Sequence, residues 1–398
     1  MPAVGSGLRV PPPRFRALAC VSAFAGLVSF AAALTITPAS LNEIAREFGV
    51  GPSRLGGLFL AVTGGFLVTI VAAGRFSDRR GKLPFIALGC ASLAVGLCGF
   101  ALSRSYAAAL AFTFVTGMGG GFSECTAMAL VGDLYSGRRR TAMLNWAQAV
   151  FGLGAVLAPV LIAALLRMGA DWRTGYFYAA ALAGLSGTLA LWAIAMRQER
   201  PVGDGSSGSG WREVISDRLV LLCSVGILLY VGAECGTAHW LAKYFRLNLG
   251  SSAPLAASSP AFFWAGVTAG RAAAAWVSRY LTEVSLSRWS IALAGVSQVV
   301  LLLSGSPALG LPATVAMGFF LGPVFPTIVG YAGAAHPSRS GTAAAVVIFS
   351  GAVGAAIFPP LVGGLAEFTG LRAALWVCAL VLAADLAIFV RMKDVRSS

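Results

Sequence analysis

The feature that most constrains this chain is a recurrence of apolar runs, each about 20 residues long and set off from the next by a short polar tract. A helix of that length crosses the roughly 30 Å hydrocarbon core of a bilayer, and it does so with every backbone N–H and C=O paired inside the segment. Runs fall near residues 17–39, 55–74, 83–102, 107–132, 141–166, 174–196, 219–241, 260–281, 289–305, 311–333, 342–366 and 371–390, which predicts twelve transmembrane helices. Composition excludes a soluble alternative, because 58% of the residues are hydrophobic and only 11% charged, whereas soluble domains carry about 25% charged residues.

The formal net charge of +14 does not point to nucleic acid. The basic residues sit in short tracts between apolar runs and do not line one face. They concentrate ahead of the first run and in the loops on that same side, which predicts a multi-pass protein of the inner membrane with both termini cytoplasmic. The first run, Ala17 to about Pro38, exceeds a signal-peptide core and reads as a retained helix. Seven cysteines lie in or beside apolar runs without a metal-type CxxC pair, so they read as small packing residues. The two histidines, His239 and His336, fall on opposite sides of the membrane in this topology, and there is no P-loop. No enzyme activity, metal site or cofactor is expected.

The polar segment 197–218, containing PVGDGSSGSG, has the composition of a flexible linker. The expected organisation is a cytoplasmic tail (1–16), a six-helix bundle (17–196), that cytoplasmic linker (197–218), a second six-helix bundle (219–390) and a cytoplasmic tail (391–398). The halves repeat in parallel. Gly154, Ala155, Pro159 and Leu161 recur as Gly354, Ala355, Pro359 and Leu361, and Gly74-Arg75 recurs as Gly270-Arg271. Such a repeat predicts an all-α membrane protein whose bundles are related by a pseudo-two-fold axis along the membrane normal, with a substrate site between them near the midplane.

Polar residues inside the runs mark that site. Glu124, among Gly117, Gly119, Gly120 and Gly121, costs about 2.5–3.5 kcal/mol at a helix centre on insertion scales, so it must face protein or water. Glu234 is a second such acid, with Tyr230 and Thr237 on the same helical face. Both are candidates for ion coupling, since burial penalises the ionised form of a carboxylate and lets it load and release a proton. Asn145 and Gln148, one turn apart, and Gln298 are neutral donors and acceptors suited to hydroxyl groups. Tyr230, Trp240 and Trp264 offer rings to the apolar face of a sugar. Each of these has a purely structural alternative, an interhelical hydrogen bond for the amides and an interfacial belt position for Trp240.

Gly74-Arg75-Phe76-Ser77-Asp78-Arg79-Arg80-Gly81-Lys82, after the second run, resembles the signature loop of the major facilitator superfamily. The resemblance implies a cytoplasmic gate formed by Gly74, Asp78, Arg79 and Gly81, with the aspartate latched against span eleven. In the second copy Ala274 stands where Asp78 maps, which implies a one-sided latch. A narrower resemblance, carried by GMGGGFSE, LNWAQAVFGLGA, YVGAECGTAHWLAKYF, FFWAGVTAGR and MGFFLGPVFPT, is to the fucose:proton symporter type of sugar transporter. It implies alternating access, a sugar-like substrate and H+ as the coupling ion, in a monomer within the lipid bilayer. The alternatives are a proton-coupled efflux antiporter of drugs or metabolites, and a non-transporting membrane sensor.

Overall fold

The computed structural model describes residues 12–50, 52–196 and 210–392. The expected tails and linker therefore lie largely outside the described residues. Within them the chain is helical throughout: α1 (Pro13–Ala39), α2 (Leu41–Phe48), α3 (Pro52–Arg80), α4 (Leu83–Leu102), α5 (Tyr106–Leu134), α6 (Gly137–Arg167), α7 (Arg173–Ala195), α8 (Gly210–Ser216), α9 (Arg218–Ala238), α10 (Leu241–Asn248), α11 (Ala253–Val277), α12 (Glu283–Leu303), α13 (Pro307–Leu321), α14 (Val324–Ala335), α15 (Ser340–Thr369) and α16 (Leu371–Arg391).

Among the described residues, ten stretches are long and apolar enough to cross a membrane. The remaining two spans are α5 and α11, of 29 and 25 residues, whose apolar character is diluted by glycine in one and by serine and proline in the other. Twelve spans form two six-helix bundles. Packing repeats between them: α1 lies on α6 as α9 lies on α15, α3 on α5 as α11 on α13, and α4 on α7 as α12 on α16. The glycines of α5 are needed for its central place. A Cβ on Gly117 would sit 2.0 Å from the Val62 carbonyl of α3, and one on Gly119 would sit 2.6 Å from the Leu93 nitrogen of α4. Only a residue without a side chain lets both backbones approach so closely.

Three features depart from the expectation. Short helices α2 and α10 follow the first span of each bundle; at 8 residues each they are too brief for a membrane-span pattern to register. The tenth span is not continuous, since α13 and α14 are separated at Gly322-Pro323, where prolines 323 and 326 remove N–H donors from the ladder. The register of the repeat also differs. Leu41 and Leu241 open α2 and α10, and Leu83 and Glu283 open α4 and α12, each 200 apart, while Pro52 and Ala253 open α3 and α11, 201 apart. Gly74 then corresponds to Ala274 or Ala275, alanines both, and the match of Gly74-Arg75 to Gly270-Arg271 is about one helical turn out of register. Its consequence is physical: Arg75 is exposed at the end of α3, whereas Arg271 is buried at 7% exposure.

Candidate functional site

Hydrogen bonds cross between the bundles on the face that carries the α3–α4 and α5–α6 loops and the described chain ends, here termed the basic face. Asp78, near the end of α3, accepts from the backbone N–H of Gly341 (2.8 Å) and Thr342 (2.8 Å) and from the Thr342 hydroxyl (2.7 Å). These groups open α15, so a carboxylate takes up unpaired N–H groups at the positive end of a helix dipole. Lys82 is shared between Asp78 (3.3 Å) and Asp133 (2.7 Å). Burial works against its ammonium, but the Asp133 and Asp78 carboxylates prevail and hold its pKa above the ordinary value. Gly74 lies against Gly341 and Ala345 of α15, and Gly81, at φ 88°, turns the chain between α3 and α4. Arg79 is exposed beside them. Beneath the latch, the buried Cys125 thiol lies 3.6 Å from the Gly341 carbonyl.

The second bundle supplies an acid of its own on this face. Glu283, the first residue of α12, accepts from the Thr141 hydroxyl near the start of α6 at 2.9 Å. The expectation of a one-sided latch is thus replaced by two unequal contacts. Ser278, not Ala274, occupies the position 200 residues after Asp78, and the carboxylate is displaced to the start of the next helix.

Deeper in, at the interface of α5, α6, α9 and α11, lies a charge cluster. Gln148 donates to Glu124 at 3.5 Å and faces the Met128 sulfur at 3.6 Å. Tyr230 donates to Glu234 at 2.8 Å, both buried on α9. Arg271 of α11 lies within electrostatic reach of Glu124, Glu234 and Tyr230. Its Nε donates to the Gly322 carbonyl (3.4 Å) and its Nη1 to the Gln148 carbonyl (3.3 Å). The first acceptor is the carbonyl at the α13–α14 break, so the interruption of the tenth span provides the acceptor that holds the guanidinium. Trp264, Thr268 and Arg271 share one face of α11, and a Cβ on Gly152 of α6 would meet the Thr268 hydroxyl at 2.5 Å.

The other sequence candidates separate by position. Asn145 donates to the Thr141 carbonyl (2.9 Å) and across the interface to Thr327 of α14 (3.3 Å), and its Oδ1 is buried without a partner. Gln298 is fully buried within the second bundle, accepting from Thr237 (3.4 Å) and donating to the Leu375 carbonyl (3.3 Å). Trp240 precedes α10, donating to the Pro359 carbonyl at 3.0 Å with Lys243 over its ring, beyond the end of α9 that lies away from the basic face. The structure therefore gathers Glu124, Gln148, Tyr230 and Glu234, adds Arg271, and leaves Gln298 and Trp240 apart. Arg271 was legible as an arginine inside an apolar run, but its pairing with Arg75 made it a mark of the repeat and not a site residue. Asp385 of α16, buried with both carboxylate oxygens unpartnered, also lay unremarked in the last run.

Comparison with known proteins agrees with this architecture. The chain is 24% identical to protein TsgA of Escherichia coli O157:H7 (strain EC4115 / EHEC) over 353 residues, covering 86% of each. It superposes on the crystal structure of the transporter FucP in the outward conformation with a TM-score of 0.82 at 19% identity, covering 95% of this chain and 98% of the other. With the proton:xylose symporter XylE the TM-score is 0.79 at 13% identity, covering 95% and 96%. The Major Facilitator Superfamily family model matches residues 22–287. With that match, the bundle repeat and the helix packing in hand, the chain is a multi-pass membrane transporter of the Major Facilitator Superfamily, and not an enzyme.

Proposed function

We propose that this protein imports a sugar or related polar small molecule together with protons across the inner membrane, by alternating access and as a monomer, with its basic face and both termini cytoplasmic. One observation carries the reading: Arg271 of the second bundle donates to the Gln148 carbonyl of the first at 3.3 Å, and the Gln148 amide donates to Glu124 at 3.5 Å, so a buried polar cluster bridges the plane along which the bundles must part. Protonating either acid changes the electrostatic balance across that plane. A coupling ion can act there as no acid elsewhere in a bundle can. FucP, described as a fucose:proton symporter, and XylE share the fold, which supports the same cargo class. In this reading Asp78 of α3, docked against α15, and Glu283 of α12, docked against α6, hold the cytoplasmic gate shut. Gln148 and Tyr230 present an amide and a hydroxyl to the cargo.

The test is Glu124→Gln, reconstituted in liposomes under an imposed pH gradient. The variant keeps the size of the side chain and its contact with Gln148. Accumulation of cargo should fall at least about tenfold while cargo exchange continues, since exchange needs no net proton release. Accumulation equal to wild type would remove Glu124 from coupling. A wild-type protein that concentrates no monosaccharide under any pH gradient would remove the reading.

A further inference from the structure

We infer that the cargo carries a carboxylate, a sugar acid rather than a neutral sugar, and that Arg271 receives it; this rests on the proposed sugar import and narrows its substrate class. Arg271 is 7% exposed, and a buried charge is stable only when paired or strongly hydrogen-bonded. Its direct hydrogen bonds meet that need only in part. Two donors reach backbone carbonyls at 3.3 and 3.4 Å, and among the described residues no carboxylate comes within the 4.0 Å of an ion pair. Among the described residues, Nη2 has no acceptor. The guanidinium is thus fixed by its Nε and Nη1 while one end of its fork stays free, at the interface where a cargo would enter.

A carboxylate is the ligand that a free guanidinium edge fits best, through charge-assisted and often bidentate hydrogen bonds. Charge selects a monoanion. With Glu124 and Glu234 ionised, the cluster of two acids and Arg271 is net negative and repels an anion. Protonating one acid makes it neutral, and protonating both leaves the arginine uncompensated, which an incoming carboxylate neutralises. Tyr230, the remaining titratable group in the field of Arg271, enters as a neutral hydroxyl donor to Glu234. Anion binding and proton uptake are therefore linked, each favouring the other by the same factor. A phosphorylated sugar, as a dianion, would leave excess negative charge in a low-dielectric site. The rest of a sugar acid meets Gln148, Thr268 and Trp264 on the facing stripes of α6 and α11.

The experiment measures binding to the purified full-length protein by tryptophan fluorescence, with Trp264 two turns from Arg271 as reporter. Probes are D-glucuronate and D-galacturonate against D-glucose, D-galactose, L-fucose and glucose 6-phosphate, each at a mildly acidic and a mildly alkaline pH. The uronates should bind about tenfold to a hundredfold more tightly than the neutral sugars, and more tightly at acidic pH. Arg271→Gln should abolish that preference and Arg271→Lys retain part of it. The double variant Glu124→Gln, Glu234→Gln keeps the arginine and should bind uronate at alkaline pH as well as wild type does at acidic pH, which tests the linkage even where Arg271→Gln does not fold. Neutral sugars or glucose 6-phosphate binding as well as uronates would overturn the inference, as would an unchanged pH dependence in the double variant. If neutral sugars then accumulate under a pH gradient, proton-coupled sugar import stands without it. If no probe binds or accumulates, both fall.

Discussion

The two bundles meet on the basic face through contacts that their repeat makes equivalent in place but not in strength. Asp78 of the first bundle takes two backbone N–H groups and a hydroxyl from the start of α15, backed by Lys82 and Asp133. Glu283 of the second takes one hydroxyl from Thr141 of α6. Gly74 lets α3 touch α15, while its counterpart Ala274 already carries a Cβ. A carboxylate on a helix N-terminus engages fixed dipoles in a partly buried place, whereas a lone hydroxyl bond is readily exchanged for water. In the proposed gate, the larger share of the closing free energy then belongs to the Asp78 contact.

The comparison breaks most visibly at Gly74. A Cβ there would fall 2.4 Å from the Ala345 Cβ and 2.5 Å from the Gly341 carbonyl, closer than atoms can pack, so Gly74→Val should keep the basic face from closing. Uptake should drop more than about tenfold, with little loss of folding because the clash lies between bundles. Ala274→Val, at the equivalent site, should retain uptake within about twofold. Equal losses in the two variants, at equal membrane abundance, would show that the halves close alike.

Asp78→Asn comes next. It keeps an acceptor but removes the charge and one strong oxygen. Hydrogen bonds to a charged group contribute about 1.5–3 kcal/mol, so the gate equilibrium should shift about tenfold to a hundredfold toward opening. Cys125 reports this directly, because it is buried under Gly341. Its maleimide labelling, read by mass spectrometry, should quicken by that factor, and an unchanged rate would take the latch out of gating.

How far the sequence led is clearest at these residues. The spans were legible because bilayer thickness sets their length, and Asp78 because one acid stands in a basic loop. Glu124 and Glu234 were legible as acids in apolar runs. Arg271 and Glu283 were not recognised, because the repeat was aligned on a Gly-Arg pair one turn out of register, and only helix ends in space fix the true offset. The separation of Gln298 from Gln148 was hidden for another reason. Both are amides on apolar helices, and the face that each presents depends on which helices pack beside it, information that no single span contains. The break at Gly322 could be suspected from Pro323 and Pro326, but its use as a support for Arg271 is a tertiary fact.

The smallest effect is expected at Thr141→Val, which sharpens the comparison by removing the weaker latch without changing side-chain shape. The lost bond is a single hydroxyl donated to a carboxylate, and Glu283 is only partly buried, so water can replace the donor. A contribution of about 0.5–1 kcal/mol is expected, near the low end for hydrogen bonds, and Cys125 labelling should rise about twofold to fivefold. Asn145 sits one turn deeper on α6 and still bridges to Thr327, which limits how far α6 can swing when Thr141 lets go. Labelling as fast as in Asp78→Asn would mean that α6 and α15 carry equal shares of closure. The asymmetry drawn from the count and type of hydrogen bonds would then be wrong, and the one-turn difference between the halves would be a difference of sequence without a difference of gating.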